Sequence, residues 1–258
     1  MTLSLCAIAR DEERFLPALL ESVRGLVDEL VIGIDSRTTD DTLAVAQAYG
    51  ARAFIFDWHD SFAEPLNLAI DRARTDWILR LDCDERLLPA GRVAIRETFS
   101  QTVPLAIDGF LTLMVETDLK DNELSAPEVS SARLFRNSPD LRYLGRIHEE
   151  VRYLPDPPRT NCEMLPGPSM PHIQHFGADP ALRQGKAERD RCLLHLRLRD
   201  NPKDAVAYCY LALMARKDGR RLLARTFARR ALECGPRTLH DDRVLLMQEL
   251  AGEVHDYI

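Results

Sequence analysis

No pair of cysteines in this 258-residue sequence has the C-x-x-C spacing of a zinc ribbon or a thioredoxin-type site. The six cysteines stand apart from one another, which is typical of a protein in a reducing compartment. Basic residues are also in the minority: 41 Asp and Glu against 34 Lys and Arg give a formal charge of -7. This balance counts against a protein that holds nucleic acid mainly by charge.

Long apolar runs are missing as well. No stretch approaches the roughly 18–20 apolar residues that are needed to cross a bilayer. The chain opens with an apolar run of only about seven residues and no basic residue before it, so we expect neither a signal peptide nor an anchor. We therefore expect a cytoplasmic protein, either free or attached peripherally to the inner membrane. The composition, 45% hydrophobic and 29% charged, is that of an ordinary globular protein.

The first 85 residues alternate between strand and helix patterns. Short apolar runs predict buried strands, and apolar residues at a spacing of three and four predict helices between them. The predicted strands cover residues 3–9, 30–34, 53–56 and 77–81, and the predicted helices cover 15–23, 40–49 and 62–73. Such alternation predicts an α/β fold with a mixed, mostly parallel sheet that is flanked by helices on both faces.

Carboxylates follow three of these strands directly. Asp35 comes after the second strand, Asp57 after the third, and Asp82 and Asp84 after the fourth. In open α/β sheets, ligands bind in the crevice outside the carboxyl ends of the strands. Because hard divalent cations prefer oxygen ligands, the sequence predicts a site where Mn²⁺ or Mg²⁺ carries a phosphorylated ligand. Asp82 and Asp84 are the candidate metal ligands, and His175 is a third candidate.

The rest of the chain divides into a middle section and a helical tail. We expect strands at residues 108–117 and 132–136, a strand and turn at 141–151, and a proline-rich loop at 155–171. Pro202 and Pro236 are 34 positions apart and bracket residues that match the tetratricopeptide pattern: Tyr208, Leu211, Ala212, Gly219, Ala224 and Ala231. The predicted domains are 1–180, catalytic, and 181–258, helical, and the helical tail could form a homodimer.

Three segments together resemble the family 2 glycosyltransferases of GT-A fold. They are CAIARDEERFLPALLESVRGLVDELVIGIDSRTTDDT, FDWHDSFAEPLNLAIDRARTDWILRLDCDE and GRIHEEV. The last segment and the tetratricopeptide-like tail are similar to a subgroup that contains the glycocin S-glycosyltransferases and lipopolysaccharide-core-type enzymes. The resemblance implies metal-dependent, inverting transfer of a sugar from a nucleotide sugar, most simply a UDP-sugar, to a glycan, lipid-linked or peptide acceptor.

The resemblance also implies roles for particular residues. Glu149 is the first choice for the general base, and His148 is either a second catalytic group or a ligand of metal or phosphate. Asp35 is expected to bond uracil or ribose, Asp82 to meet ribose or metal, and Asp84 to ligate the metal. The implied nucleotide-sugar-binding residues are Ala9, Arg10, Asp11, Asp35, Arg37, Asn67, Asp82 and Cys83.

Three positions depart from the family pattern, and they leave alternatives open. The family usually has Asn at Asp11, Arg at Leu66 and a small residue at Arg37, so Arg37 or Arg10 is the candidate to replace the missing arginine. One alternative is a glycosyltransferase that modifies bases of phage-type DNA, which the acidic charge disfavours without excluding it. The other is a catalytically degenerate glycosyltransferase fold that serves as a binding module.

Overall fold

The computed structural model describes residues 1–154, 161–166, 170–177, 185–235 and 241–252. The chain divides into two compact units, Met1–Gln184 and Gly185–Ile258. The boundary that the sequence predicts, between residues 180 and 181, lies outside the described residues.

Four parallel strands form one half of the main sheet, in the order β3-β2-β1-β4. They are β1 (Leu3–Ala9), β2 (Glu29–Asp35), β3 (Arg52–Phe56) and β4 (Trp77–Arg80). Three helices connect them: α1 (Leu16–Val23), α2 (Thr42–Ala48) and α3 (Ala63–Arg72). Parallel strands need such crossover connections. Because the four strands run in the same direction, their carboxyl ends lie along one edge of the sheet. The predicted α/β alternation is confirmed here.

The other half of the sheet is mixed. Strand order continues from β4 as β7-β6-β11-β5, with β10 beside β6, and β4–β7, β6–β7 and β5–β11 are antiparallel pairs. The elements are β5 (Glu85–Leu87), α4 (Pro89–Ser100), β6 (Gly109–Glu116), β7 (Glu128–Arg136), β10 (Cys162–Met164) and β11 (Ile173–His175). A separate hairpin joins β8 (Leu141–Leu144) to β9 (Glu150–Tyr153). The whole is a mixed, mostly parallel sheet flanked by helices, as predicted.

The loop predicted over residues 155–171 is wrong in one part. Strand β10 lies inside this stretch and pairs in parallel with β6 at Gly109, Phe110 and Leu111. The prolines of the stretch fall outside the three strand residues, so each β10 residue keeps the N–H that a ladder uses. Residues 155–160 and 167–169 of the predicted loop lie outside the described residues.

The core has two layers, one on each face of the parallel strands. Along β1, Leu3, Leu5 and Ala7 enter the cluster that contains α1, and Cys6 enters the cluster that contains α3. Successive strand residues point to opposite faces, so a strand covered on both sides is apolar throughout. Gly33 on β2 leaves room for an aromatic ring, because a Cβ there would lie 2.9 Å from Cζ of Phe54.

The described residues of the helical unit form four helices: α5 (Lys186–Asp200), α6 (Ala205–Lys217), α7 (Arg221–Cys234) and α8 (Asp241–Ala251). Small side chains at the predicted repeat positions, Ala212 and Ala231 among them, pack with Ala228 and Met247 in a buried cluster. Gly219 turns the chain between α6 and α7 at φ 73°, a left-handed conformation that favours glycine. Pro236, the second marker of the predicted repeat, lies outside the described residues.

The described helices are short or polar by the standard of a membrane span. None of them combines the length and the apolar character that crossing a bilayer requires.

Trp77 is the largest fully buried side chain of the sheet and tests the packing of the core. Its ring lies 5.5 Å from that of Phe99 and 5.8 Å from that of Phe110, with the Arg136 guanidinium 4.7 Å above it. We expect Trp77→Ala to lower the free energy of unfolding by about 3–5 kcal/mol, since a large cavity remains. Urea unfolding measures this change.

The matched control for this prediction is Ile55→Ala, since Ile55 is 56% exposed. We expect the control to change the free energy of unfolding by less than about 0.5 kcal/mol. Equal losses in the two variants would contradict the described core.

Candidate functional site

The parallel strands place polar groups from distant parts of the sequence along one sheet edge. Arg10 and Asp11 follow β1, Asp35 ends β2, and Asp82 comes two residues after β4. Strand β1 pairs with β2 on one side and β4 on the other, so these ends are neighbours. Asp35 and Asp82 therefore lie at the same edge of the sheet.

Asp35 is held by Arg37. The Arg37 Nε and backbone N–H both donate to Oδ1 at 2.9 Å, and Nη2 donates to Oδ2 at 2.5 Å. Asp35 is almost fully buried, and burial raises its pKa, but the hydrogen bonds and charge of Arg37 outweigh this and hold the pKa below its usual value. The Arg37 guanidinium also lies 5.5 Å from the ring of Trp58. An ionised carboxylate, a fixed cation and an aromatic ring are thus adjacent.

The residues after β1 form a tight turn. Asp11 has φ 53°, and its Oδ1 accepts hydrogen bonds from the backbone N–H (2.8 Å) and hydroxyl (3.2 Å) of Thr39. Arg10 is half exposed and lies 3.5 Å from Asp11, whereas Ala9 is buried in the core. Of these three predicted residues, Arg10 and Asp11 present polar groups at the edge and Ala9 presents backbone.

Asp82 belongs to a cluster of charges below the edge. Arg80 contacts both oxygens of Asp82, at 2.9 Å and 2.8 Å, and its Nη2 donates to Oε1 of Glu149 at 2.9 Å. Although burial lowers the pKa of Arg80, the carboxylates of Asp82 and Glu149 raise it above its usual value. Asp82 is 33% exposed and Glu149 is 11% exposed, so the cluster opens towards the edge on the Asp82 side.

A second buried pair supports the same turn. Nη2 of Arg133, on β7, donates to Oε1 of Glu85 at 2.5 Å, and Oε2 of Glu85 accepts the backbone N–H of Asp82 at 2.8 Å. Glu85 is fully buried, and burial raises its pKa. Because Glu85 also accepts the backbone N–H of Asp82, this pair fixes the D-x-D turn on the neighbouring antiparallel strand.

Cys83 and Asn67 are placed differently from the other predicted binding residues. Cys83 is buried, its thiol donates to the carbonyl of Ile8 at 3.4 Å, and burial raises its pKa well above the usual value. The Asn67 side chain exchanges two hydrogen bonds with the backbone of Tyr143, at 2.9 Å and 3.0 Å. Both side chains hold parts of the site together, and Leu66 beside Asn67 is buried in the core.

The hairpin loop between β8 and β9 carries the predicted catalytic pair. His148 has φ 50°, an uncommon conformation for a residue with a side chain. Glu149 follows it and reaches Arg80, so the loop is joined to the end of β4. His148 itself is half-buried. The structure therefore brings Glu149, Asp82 and Arg80 into contact.

Asp84 faces His175 across the antiparallel β5–β11 pair. Oδ1 of Asp84 lies 3.6 Å from Nε2 of His175, and Nδ1 of His175 lies 2.9 Å from Oε1 of Glu116. Burial lowers the pKa of His175, but its hydrogen bonds to the two carboxylates outweigh this and raise the pKa to about 11. Gly177 leaves this corner open, because a Cβ there would lie 3.0 Å from Oδ2 of Asp84.

The side chains at this corner are donors that a divalent cation could use. Within the described ranges, no group of three or more His, Cys, Asp and Glu side chains is arranged to hold a metal ion. Asp84 and His175 nevertheless face each other, and Glu116 on Nδ1 is the outer carboxylate that metal-binding histidines commonly have. Two protein ligands suffice where water and phosphate complete the coordination, and a cation at Nε2 would take the place of the proton that His175 carries there, so the residues fit Mn²⁺ or Mg²⁺. Asp82 is directed to Arg80.

Four important residues were not predicted from the sequence. They are Arg80, Glu85, Glu116 and Arg133. Arg80 stands alone in the apolar run WILRL, and a charge within a buried strand is a signal because it must find a partner there. The other three lie in patterns that give no such signal. His172, three positions before His175, is fully buried and bonds the backbone of Leu113 and Pro166.

An α/β domain with carboxylates at its strand ends is the class that this fold and site define. Residues 4–93 match the family model described as Glycosyl transferase family 2. An uncharacterized glycosyltransferase of Rickettsia felis is 36% identical over 90 residues, which are 33% of this chain and 29% of that protein. Residues 4–93 of the chain are therefore similar to the family 2 glycosyltransferases.

Two further comparisons extend over more of the chain. A TPR repeat-containing protein of Synechococcus elongatus is 35% identical over 237 residues, which are 90% of this chain and 57% of that protein. The chain thus spans little more than half of this relative and less than a third of the Rickettsia protein. The crystal structure of S. aureus TarS 1-349 in complex with UDP-GlcNAc has a TM-score of 0.47 at 13% identity and covers 98% of this chain and 88% of that chain.

The Glu85–Arg133 pair gives a prediction about stability. We expect Glu85→Ala to lower the free energy of unfolding by about 3–5 kcal/mol, because it removes the carboxylate that hydrogen-bonds the buried Arg133 guanidinium and leaves only Asp82, 3.7 Å away. Urea unfolding at pH 7 measures the change.

The control removes an exposed carboxylate of the same type, Glu21, which pairs with Arg24 on the surface of α1. We expect no measurable change for Glu21→Ala, since exposed ion pairs contribute little. A Glu85→Ala variant as stable as the wild type would show that Arg133 finds another partner.

Proposed function

We propose that this chain transfers a sugar from a UDP-sugar to an acceptor, with inversion at the anomeric carbon and with Mn²⁺ or Mg²⁺ bound. The observation that carries the proposal is that Asp35 and Asp82 follow two parallel strands on either side of β1, and that Arg80 joins Asp82 to Glu149, in a chain whose residues 4–93 match the family 2 model. Inverting transfer needs a donor site, charge stabilisation for the leaving diphosphate and one base. The edge offers a candidate for each.

The Asp35–Arg37 pair supports the choice of uridine. Arg37 uses Nε and one Nη2 hydrogen on Asp35, so three of its five N–H donors remain. Oδ2 of Asp35 accepts one hydrogen bond and can accept another. The edge of uracil has one N–H between two carbonyl oxygens, which matches one acceptor beside several donors. Trp58 offers an aromatic surface next to the pair.

Asp84 and His175 are the residues that would hold the cation. When bound, the cation supplies positive charge to the two phosphates of the donor and so stabilises the departing UDP. The carboxylate of Glu116 keeps the His175 ring oriented through Nδ1 and leaves Nε2 directed at Asp84. Asp82, held by Arg80, is placed to meet the ribose rather than the cation.

Glu149 is the proposed general base. It is held beside Asp82 and paired with Arg80, and its carboxylate can accept the acceptor's proton. As the deprotonated acceptor forms its bond to the anomeric carbon, the bond from that carbon to the diphosphate oxygen breaks on the opposite face. His148, the neighbouring residue, is the alternative base or phosphate ligand.

The acceptor is proposed as a class only. A hydroxyl of a glycan or a lipid-linked sugar and a side chain of a peptide are the candidates, and a modified DNA base is disfavoured by the net charge of -7. All six cysteines are free thiols, which supports a cytoplasmic location, at or away from the inner membrane. Dimerisation through the helical unit is also a proposal, and size-exclusion chromatography with light scattering tests it.

One observation favours a degenerate binding module instead. Leu66 is buried where the family resemblance leads us to expect arginine, so this position offers no charge to a donor. A chain that binds no nucleotide under any condition would support that alternative. Nucleotide binding is therefore the first property to measure.

Asp84→Asn tests the metal role. We expect the melting temperature of the wild type to rise with UDP and Mn²⁺ together, since a ligand at 100 times its dissociation constant adds about 2.7 kcal/mol of stability. We expect the Mn²⁺-dependent part of the rise to disappear in Asp84→Asn, because one ligand is lost.

Asp71→Asn is the control for this experiment, since Asp71 pairs with Arg142 on the surface. Its rise should equal that of the wild type. A full Mn²⁺-dependent rise in Asp84→Asn would show that the cation is held elsewhere.

Glu149→Gln tests the base. We expect kcat to fall by about 10²–10⁴-fold while KM for the donor stays within a few-fold, because the amide keeps the shape and cannot take a proton. Release of UDP from a UDP-sugar, with water or an identified acceptor, measures both constants. If His148→Gln shows the larger fall in kcat, the base is His148.

A further inference from the structure

Arg80 is a charged residue in an otherwise apolar strand. The four residues of β4, WILR, are all buried, and the side chain of Arg80 is only 7% exposed. Burying a guanidinium is costly unless its charge and its hydrogen bonds are satisfied. A buried arginine on a central strand therefore indicates that particular partners hold it there.

The partners of Arg80 are two residues of the proposed site. Nη1 donates to Oδ2 of Asp82 at 2.9 Å, and Nη2 lies 2.8 Å from Oδ1 of Asp82 and 2.9 Å from Oε1 of Glu149. Asp82 follows the same strand, but Glu149 stands 69 positions later, on the hairpin loop. One planar guanidinium thus sets the distance between two carboxylates that belong to separate elements.

The loop that carries Glu149 is strained at the residue before it. His148 has φ 50°, and such a conformation persists only where neighbouring contacts hold it. The Glu149–Arg80 pair is such a contact, since it joins the loop to β4 directly after His148. The ring of Tyr143, on β8, lies 5.8 Å from the Arg80 guanidinium and closes the other side.

We propose that Arg80 is a positioning residue that holds Glu149 against Asp82, so that one guanidinium sets the geometry between the base and the donor site. This inference rests on the proposed function, in which Glu149 takes a proton and Asp82 meets the ribose. Arg80 itself contacts neither substrate. Its planar fork reaches both carboxylates at once, and the single ammonium group of lysine does not have this geometry.

Four variants test the proposal: Arg80→Met, Arg80→Lys, Glu149→Gln and the double variant Arg80→Met with Glu149→Gln. The assays are UDP release from UDP-glucose and UDP-N-acetylglucosamine, with Mn²⁺, and thermal stability with UDP. We expect Arg80→Met to lower kcat by about 10²-fold, the size of effect that misplacing a catalytic group causes. It should also raise KM for the donor, because Asp82 loses its anchor, whereas Glu149→Gln should leave that KM within a few-fold.

The double variant separates positioning from general damage. If Arg80 acts on turnover through Glu149, kcat of the double variant equals that of Glu149→Gln within about twofold, since residues that act as a unit are not additive. If Arg80 only supports the fold, the two losses multiply, and the proposal is wrong. Arg80→Lys keeps the buried charge and should stay at least about tenfold below the wild type in kcat. A lysine variant with full kcat also overturns the proposal.

The proposed function and this inference fail in different ways. A wild type that binds no UDP and releases none overturns both. A wild type that is active, with Arg80→Met at full kcat, overturns only the role of Arg80. If Arg80→Met does not fold, Arg80→Lys takes its place in the cycle. The arginine geometry is then supported only if Arg80→Lys folds, loses kcat, and shows no further loss of kcat when combined with Glu149→Gln. Arg142→Lys is the matched control, since Arg142 pairs with Asp71 near the surface.

Discussion

The backbone hydrogen bonds on the two sides of β1 constrain everything that follows in this domain. They join β1 to β2 and to β4 in parallel, so the three strands end at the same edge. Every polar group of the proposed site depends on this shared direction, because the sheet brings Asp35 and Asp82 together from distant parts of the chain. The antiparallel strands that follow add the other side, where β11 presents His175 to Asp84.

Below that edge the sheet is apolar, so a charged side chain there needs a partner of opposite charge. Arg80, Arg133 and Glu85 are buried, and each is paired with a carboxylate or guanidinium of another residue of the cluster. Removing one member exposes the others to the cost of an uncompensated charge. The cluster is therefore a single unit, and its members hold the D-x-D turn, β7 and the hairpin loop in fixed relation.

Much of this fold is predictable from sequence, for identifiable reasons. The strands before Asp35 and Asp82 are short apolar runs between helical patterns, so their ends could be located to within a residue or two. Strand β5 and α4 were not predicted, although Pro89 at the first position of α4 is a helix signal. The prolines on both sides of strand β10 predict a loop, and this prediction is wrong for its three residues. Its three residues are recognisable only once β6 lies beside them.

Residues of the proposed site can be nominated from the sequence, but most of their contacts cannot. Asp84 and His175 could be nominated from the sequence, but Glu116 behind His175 could not, since pairing of β6 with β11 brings it there. Arg80 is visible as a lone charge, yet its partners depend on the hairpin loop. Long-range partners of a charge are set by tertiary structure, which local patterns do not encode.

The chain has two tryptophans, and the structure gives them very different surroundings. Trp77 is sealed in the core between Phe99 and Phe110, so its fluorescence emission is fixed by apolar neighbours. Trp58 is only partly buried and lies beside Arg37 at the edge of the parallel strands. A change in emission on adding a small molecule would thus originate at Trp58, so the protein contains its own optical reporter of that side of the crevice.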